Sequence, residues 1–274
     1  MSTAPIPSAA GETTTRDREL ASREYWDQAW TGARPHDYEG PVYGFHRLFS
    51  EHLPRGEGLR LLELGSARGF TLTYLHKEYG YRVYGVDSSE EGIAVAREHC
   101  RRNDVPAELH CGDLFEVELP GPFDVVYSGG LVEHFSDLDR VVRRHVELLR
   151  PGGTLVIGVP SLVGVHGPLM RRYQPAMSAI HLRASCSPWA VRSAVERTEP
   201  GWRYLYCDFG ESTSHVFYPV PPAIGLVARV LGKALRVAHL ARVPNRWLSP
   251  DAYVIAVRPL SPRSASPAPR HARR

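Results

Sequence analysis

The chain is most constrained between positions 61 and 69, where the run LLELGSARG closes an apolar strand on a carboxylate, Glu63, and then turns on two glycines, Gly65 and Gly69. A strand feeding a glycine-rich turn and a helix brings bare backbone N–H groups, with a partial positive charge of about half a unit, to one point in space. Such a point binds a ligand. A dinucleotide-binding turn reads G-x-G-x-x-G, and here Ala67 stands where its middle glycine belongs. Close approach to a pyrophosphate is not provided for, so the expected ligand has no diphosphate.

Further motifs follow in order. YRVYGVDSS runs an apolar strand through Val83, Tyr84 and Val86 into Asp87. AELHCGDLFE sets Gly112 and Asp113 after a third strand, FDVVYSGG is a fourth strand leading into LVEHF, and LRPGG turns into TLVIGV. From residue 55 to about 160 this set resembles the class I S-adenosylmethionine-dependent methyltransferases of small-molecule type, whose first motif is E-x-G-x-x-x-G. The resemblance implies S-adenosylmethionine as cofactor. Its site is then built from Glu63, Gly65, Ser66, Ala67 and Gly69, from Asp87 and Ser88, from Gly112, Asp113 and Leu114, and from Ser128 and Gly129. Asp87 is the expected ribose clamp, because a carboxylate accepts both hydrogen bonds of a diol, at about 1.5–3 kcal/mol each when charge-assisted. Asp113 is the expected contact to adenine, although an aspartate there also serves simply to open a turn.

Helix signals alternate with the strands. Leu72, Leu75 and Tyr79 recur at helical spacing and stop at Gly80, a C-cap residue. Ser88 or Ser89 is placed to cap the next helix, with Glu90 and Glu91 in its first turn and Ile93, Ala96 and Cys100 on one face; Ser136 is the expected cap of a later one. Such alternation predicts an α/β fold with parallel strands, right-handed crossovers and ligands at the carboxyl ends of the strands. The resemblance adds a doubly wound, mostly parallel seven-stranded sheet with helices on both faces, N-terminal helices and cap insertions. WRYLYCDF (202–209) and DAYVIAV (251–257) are then its sixth and seventh strands, the last antiparallel.

With 274 residues, 43% of them hydrophobic, the chain can bury a substantial core, and residues 17–258 read as one domain between a disordered arm (1–16) and a Pro-Ser-Arg tail (259–274). A formal charge of +3, with arginines interspersed among acids, does not demand a nucleic-acid partner. The four cysteines have neither C-x-x-C spacing nor histidines at metal-ligand intervals, so no metal site is expected and reduced thiols in a cytoplasmic protein are the default. No apolar run reaches spanning length. The protein is expected to be a monomer or homodimer without peripheral membrane attachment.

Two insertions are expected to cap the substrate site. The first, 160–200, holds His166, Met170, Tyr173, Met177 and His181; the second, 215–248, carries Leu226, Val227, Val230, Leu231 and Ala234 on one helical face and Arg229, Lys233 and Arg236 on another. That helix is expected to pack over the site or at a dimer interface, with interfacial membrane attachment as the alternative. His134, directly after the fourth strand, and His181 are the expected catalytic residues, since an imidazole titrates near working pH; orienting the loop is the other role open to His134. His166 is a further candidate base. Tyr25, Trp26 and Trp30 form an N-terminal lid or core packing.

Methyl transfer to an oxygen or nitrogen of a small-molecule acceptor is the expected function. An N/D-P-P-Y/F run that would clamp an extruded base is absent after strand four, and only Glu133 in that loop offers the carboxylate that an arginine acceptor needs in pairs. The alternative is a protein of this fold that binds the cofactor without catalysis, or uses its sulfonium for another transfer or cyclisation.

Overall fold

The structure, a computed structural model, describes residues 19–41, 45–210, 221–237 and 245–260, without the side chains at 228, 229, 232 and 235–237. The arm expected over 1–16 and nearly all of the tail expected over 259–274 fall outside this range. In chain order the elements are α1 (Arg23–Trp30), α2 (His46–His52), β1 (Arg60–Leu64), α3 (Phe70–Tyr79), β2 (Arg82–Asp87), α4 (Glu90–Arg102), β3 (Ala107–Cys111), β4 (Phe123–Gly129), α5 (Leu138–Leu148), β5 (Leu149–Pro160), α6 (His166–Tyr173), α7 (Pro175–Ala179), α8 (Pro188–Glu196), β6 (Arg203–Phe209), α9 (Pro222–Val237) and β7 (Asp251–Val257).

Among the described residues the strands form one seven-stranded sheet of order β3-β2-β1-β4-β5-β7-β6, parallel except for β7, which runs antiparallel to both neighbours. Alternation of side chains along each strand divides the core in two. Leu62, Leu64, Val126, Leu155 and Ile157 pack on one face with Val141, Val142 and Val146 of α5 and Val191 and Val195 of α8. Their neighbours Leu61, Val83, Val125 and Val156 pack on the other with Phe49 of α2, Leu72 and Leu75 of α3 and Cys100 of α4. Both faces are covered, which is why the strands read as nearly continuous apolar runs.

Caps set the helix boundaries. Ser89 Oγ accepts from Gly92 N at 2.9 Å to start α4. Asp137, not Ser136, caps α5, its carboxylate accepting from Arg140 N at 3.0 Å; an aspartate adds charge at the positive end of the helix. The LRPGG segment is not a free turn before β5 but its first part, with Gly152 at φ +72°.

The insertions differ from expectation. Helix α8, within the span assigned to the first, buries Val191, Ala194 and Val195 in the main core and is a layer helix of the sheet. The cap is α6 and α7, packed on their own cluster of Leu162, Met170 and Cys186. On helix α9, Leu226, Val227, Val230 and Leu231 are exposed. The side chains of Arg229 and Arg236 lie outside the described residues. No described helix is long and apolar enough to cross a membrane.

Gly69 begins α3 in the left-handed region, at φ +70°, and a Cβ there would stand 3.0 Å from the Ala96 carbonyl oxygen of α4. Its role is to let two helices meet. Gly69→Ala is expected to lose about 1–2 kcal/mol of unfolding free energy through the left-handed backbone, a loss that urea denaturation would measure.

Candidate active site

The chain runs β1, β2, β3 outward on one side and then crosses to β4 on the other, so the sheet order reverses between β1 and β4. Loops leaving those two strands diverge there and open a crevice at the carboxyl edge. A cavity of about 750 Å³ occupies it. Glu63, Gly65, Ala67, Asp87, Ser88, Gly112, Leu114 and Gly129, eight of the expected cofactor residues, line it together with both His134 and His181.

Asp87 ends β2 and is locked by its neighbours. Its Oδ2 accepts from Ala67 N at 3.0 Å and its Oδ1 from Ser89 N at 2.9 Å. Each oxygen keeps a second lone pair, so the carboxylate is oriented before any diol arrives. Glu63 is buried beside it, and its Oε2 meets no protein donor.

On the β4 side, the short 3-10 turn Val132–His134 is held from two directions. Leu20 N donates to the His134 carbonyl at 2.7 Å, and Leu182 N donates to the Glu133 carbonyl at 2.6 Å. The His134 ring is fixed as well: Nδ1 lies 2.8 Å from the Ile180 carbonyl, which only accepts, so Nδ1 carries the hydrogen. His181 is held likewise by the Met177 carbonyl at 2.6 Å, and the two rings lie 4.6 Å apart. Two residues chosen separately from the sequence are therefore partners. Trp26 meets His134 edge-on at 4.8 Å and stacks on Trp30, and since α1 buries none of its residues these rings form a cover rather than core.

Four expected cofactor residues turn elsewhere. Ser66 is buried against Gly85, whose added Cβ would lie 2.5 Å from Ser66 Oγ. Gly69 serves the contact of α3 with α4. Asp113 is exposed and opens a turn, accepting from Phe115 N at 2.8 Å. Ser128 and Gly129 lie within β4, and Ser128 faces away from the cavity toward His145 Nε2 at 2.8 Å. Because His145 Nδ1 donates to the Val141 carbonyl, Ser128 is the donor in that pair. His166 also leaves the site and donates to the Leu248 carbonyl at 3.2 Å.

Sequence reasoning missed Glu19, Asp251 and Tyr253 as cavity residues. Glu19 reaches the site by an isolated bridge to Phe135, and Asp251 begins β7, far away in sequence. Neither stands in a motif.

Residues 62–157 match the family model described as a methyltransferase domain. Over that stretch, about a third of its length, the chain is similar to methyltransferase domains. It is 32% identical over 117 residues to the ubiquinone biosynthesis O-methyltransferase of Paramagnetospirillum magneticum, covering 40% of this chain and 47% of that one. To the 27-O-demethylrifamycin SV methyltransferase of Amycolatopsis mediterranei it is 28% identical over 168 residues, 55% of this chain and 62% of the other. The chain thus spans about half the length of these relatives. The solved structure of the [4+2]-cyclase SpnF shares the fold at TM-score 0.55 and 16% identity, over 86% of this chain and 91% of that one.

The cavity suits the expected cofactor, S-adenosylmethionine, electrostatically. Glu19, Glu63, Asp87, Glu133 and Asp251 line the cavity, against Arg68 as the described cation, and Glu63 offers an unmet acceptor to a ligand bearing an ammonium and a sulfonium. Burial pushes the Glu63 and Glu133 carboxyls up to about 8 and those of Glu19 and Asp251 up to about 7. His134 is pushed down to about 3 by burial and by His181, and is neutral throughout the physiological range.

These carboxyls hold their protons in the folded chain to a higher pH than in the unfolded chain, so stability is lost as pH rises through that interval. The depressed histidines His99, His134 and His145 act in the opposite sense only below their ordinary value of 6.5. The melting temperature of the ligand-free protein is therefore expected to fall between pH 6.5 and 8, and Glu63→Gln to make the fall shallower; a profile rising over that range contradicts the assignment. Ser128→Ala is expected to cost about 1–3 kcal/mol by leaving His145 Nε2 unmet, with cofactor affinity unchanged by calorimetry.

Proposed function

We propose that the chain transfers a methyl group from S-adenosylmethionine to an oxygen or nitrogen of a small-molecule acceptor, in a reducing, cytoplasmic setting. The observation that carries this reading is the acid-lined cavity at the sheet's switch point, where the pre-oriented Asp87 stands beside the unmet oxygen of Glu63. Oxygen is the acceptor atom favoured by the relatives, whose names include an O-methyltransferase.

The cofactor supplies an activated methyl group on sulfur. Asp87 would hold the ribose diol, and Glu63 the ammonium, exchanging two desolvation costs for a charge-assisted hydrogen bond. Tyr25, Trp26 and Trp30 would cover the site and exclude water. Their π-faces also attract a cation, worth about 0.5–2 kcal/mol. The cap residues Met170, Met177 and Ile180 would form the apolar wall against the acceptor. Alignment of acceptor and methyl supplies much of the rate, since effective molarities of about 10⁵–10⁸ M follow from orientation alone.

The SpnF structure shows that this architecture also houses a cyclase, so the reaction is tested by product. S-adenosylmethionine labelled in its methyl group, incubated with the protein and a small-molecule extract, is expected to give label in an extractable product and an equal amount of S-adenosylhomocysteine. Label remaining wholly on the cofactor would support a non-methyl role. Asp87→Ala is expected to weaken S-adenosylhomocysteine binding at least tenfold by calorimetry; an unchanged dissociation constant removes Asp87 from the site.

A further inference from the structure

The acceptor side of the cavity holds a cluster that methyl transfer by alignment does not use. Glu133, His134 and His181 each offer one ligand atom within 4.8 Å of the others. Glu133 is buried at 1% exposure, and its Oε2 meets no protein donor. Its Oε1 lies 3.8 Å from His134 Nε2, too far for a hydrogen bond.

The tautomers sharpen this. His134 and His181 both donate through Nδ1 to main-chain carbonyls, Ile180 and Met177, which leaves the lone pair of each ring on Nε2. Three electron-pair donors thus share a buried pocket, and a proton on Glu133 would answer only one of them. Backbone carbonyls holding Nδ1–H are also what a metal-ligating histidine needs to fix its ring and raise the basicity of Nε2. We propose that Glu133, His134 and His181 form a site for a divalent transition metal of the zinc type, two imidazoles and one carboxylate with a coordination position open toward the cavity.

Two histidines and a glutamate with an open position are a catalytic donor set for zinc, at ligand distances of about 2.0–2.2 Å. The donor atoms now spread over up to 4.8 Å, so ligation requires His181 of the cap to move closer to Glu133 and His134 of the sheet edge. The cluster was invisible to local spacing, since His181 is far from the other two in sequence.

The open position suits an acceptor with a phenolic or enolic hydroxyl. Ligation lowers the pKa of that hydroxyl; its proton leaves to water, and the oxygen lone pair forms the O–CH₃ bond as the S–CH₃ bond breaks, its electron pair returning to sulfur. This role for the cation rests on the methyl-transfer reading, whereas its binding does not.

The test is metal binding by the full chain, stripped with a chelator and carrying Cys111→Ser to remove the exposed thiol. Titration with Zn²⁺ by calorimetry and with Co²⁺ by visible absorption is expected to show one site per chain. His181→Ala and the isosteric Glu133→Gln should each weaken it at least tenfold and alter the Co²⁺ spectrum. No binding by the Cys111→Ser protein, or binding that neither substitution changes, overturns the proposal. Circular dichroism reports whether each variant is folded, and the S-adenosylhomocysteine affinity of the Cys111→Ser protein reports on the cofactor site. That affinity also separates the two readings: cofactor binding without metal sinks the metal site alone, and metal without cofactor binding sinks the methyl-transfer reading alone.

Discussion

Three carboxyl groups against one cavity, each with a buried oxygen that no protein donor reaches, set the terms for this molecule. Glu63, Glu133 and Asp251 come from β1, from the turn after β4 and from the start of β7, so the sheet topology gathers them. Each costs folding free energy where it stands, because an unmet buried acceptor forfeits its hydration. The return lies in binding: a cationic ligand or a hydrogen-bond donor that enters restores what burial removed. The two cores formed by strand alternation supply the stability that lets the crevice remain electrostatically incomplete.

The cofactor half and the acceptor half are built by different means. On the cofactor side, Asp87 is held by Ala67 and Ser89 of two strand-to-helix turns, both anchored directly on the parallel strands. On the acceptor side, the turn carrying Glu133 and His134 depends on partners from elsewhere, Leu20 before α1 and Ile180 and Leu182 after α7. The aromatic cover of α1 is joined to the sheet layer by polar contacts of Asp27 and Arg23 with Ser89 and Glu90. The aromatic helix, the cap and the 132–134 turn therefore meet around one imidazole, His134.

What was legible in the sequence follows this division. Strands and their order, the two glycine-linked turns and Asp87 are written in local runs, where apolar periodicity and a terminal carboxylate suffice. Ser66 and Ser128 sit in motifs, but the side chain of each points into the packed layer and not into the cavity, a direction that local spacing does not encode. Asp113 shows the same limit at a turn, where its carboxylate serves Phe115 N. Glu19, Asp251 and the partnership of His134 with His181 were illegible because long-range pairing alone creates them. Helix α9 has a clear amphipathic pattern, yet the pattern does not say what its apolar face meets, and among the described residues that face is exposed.

The cap is fastened to the 132–134 turn mainly through main-chain atoms: the Glu133 carbonyl to Leu182 N, and the Ile180 carbonyl to the His134 ring. Main-chain fasteners are indifferent to side-chain identity. Met170, Met177 and Ile180 can thus be exchanged without unpinning the segment that carries them, and the pocket wall becomes a replaceable lining on a permanent frame, open to retailoring for new acceptors by evolution or by design.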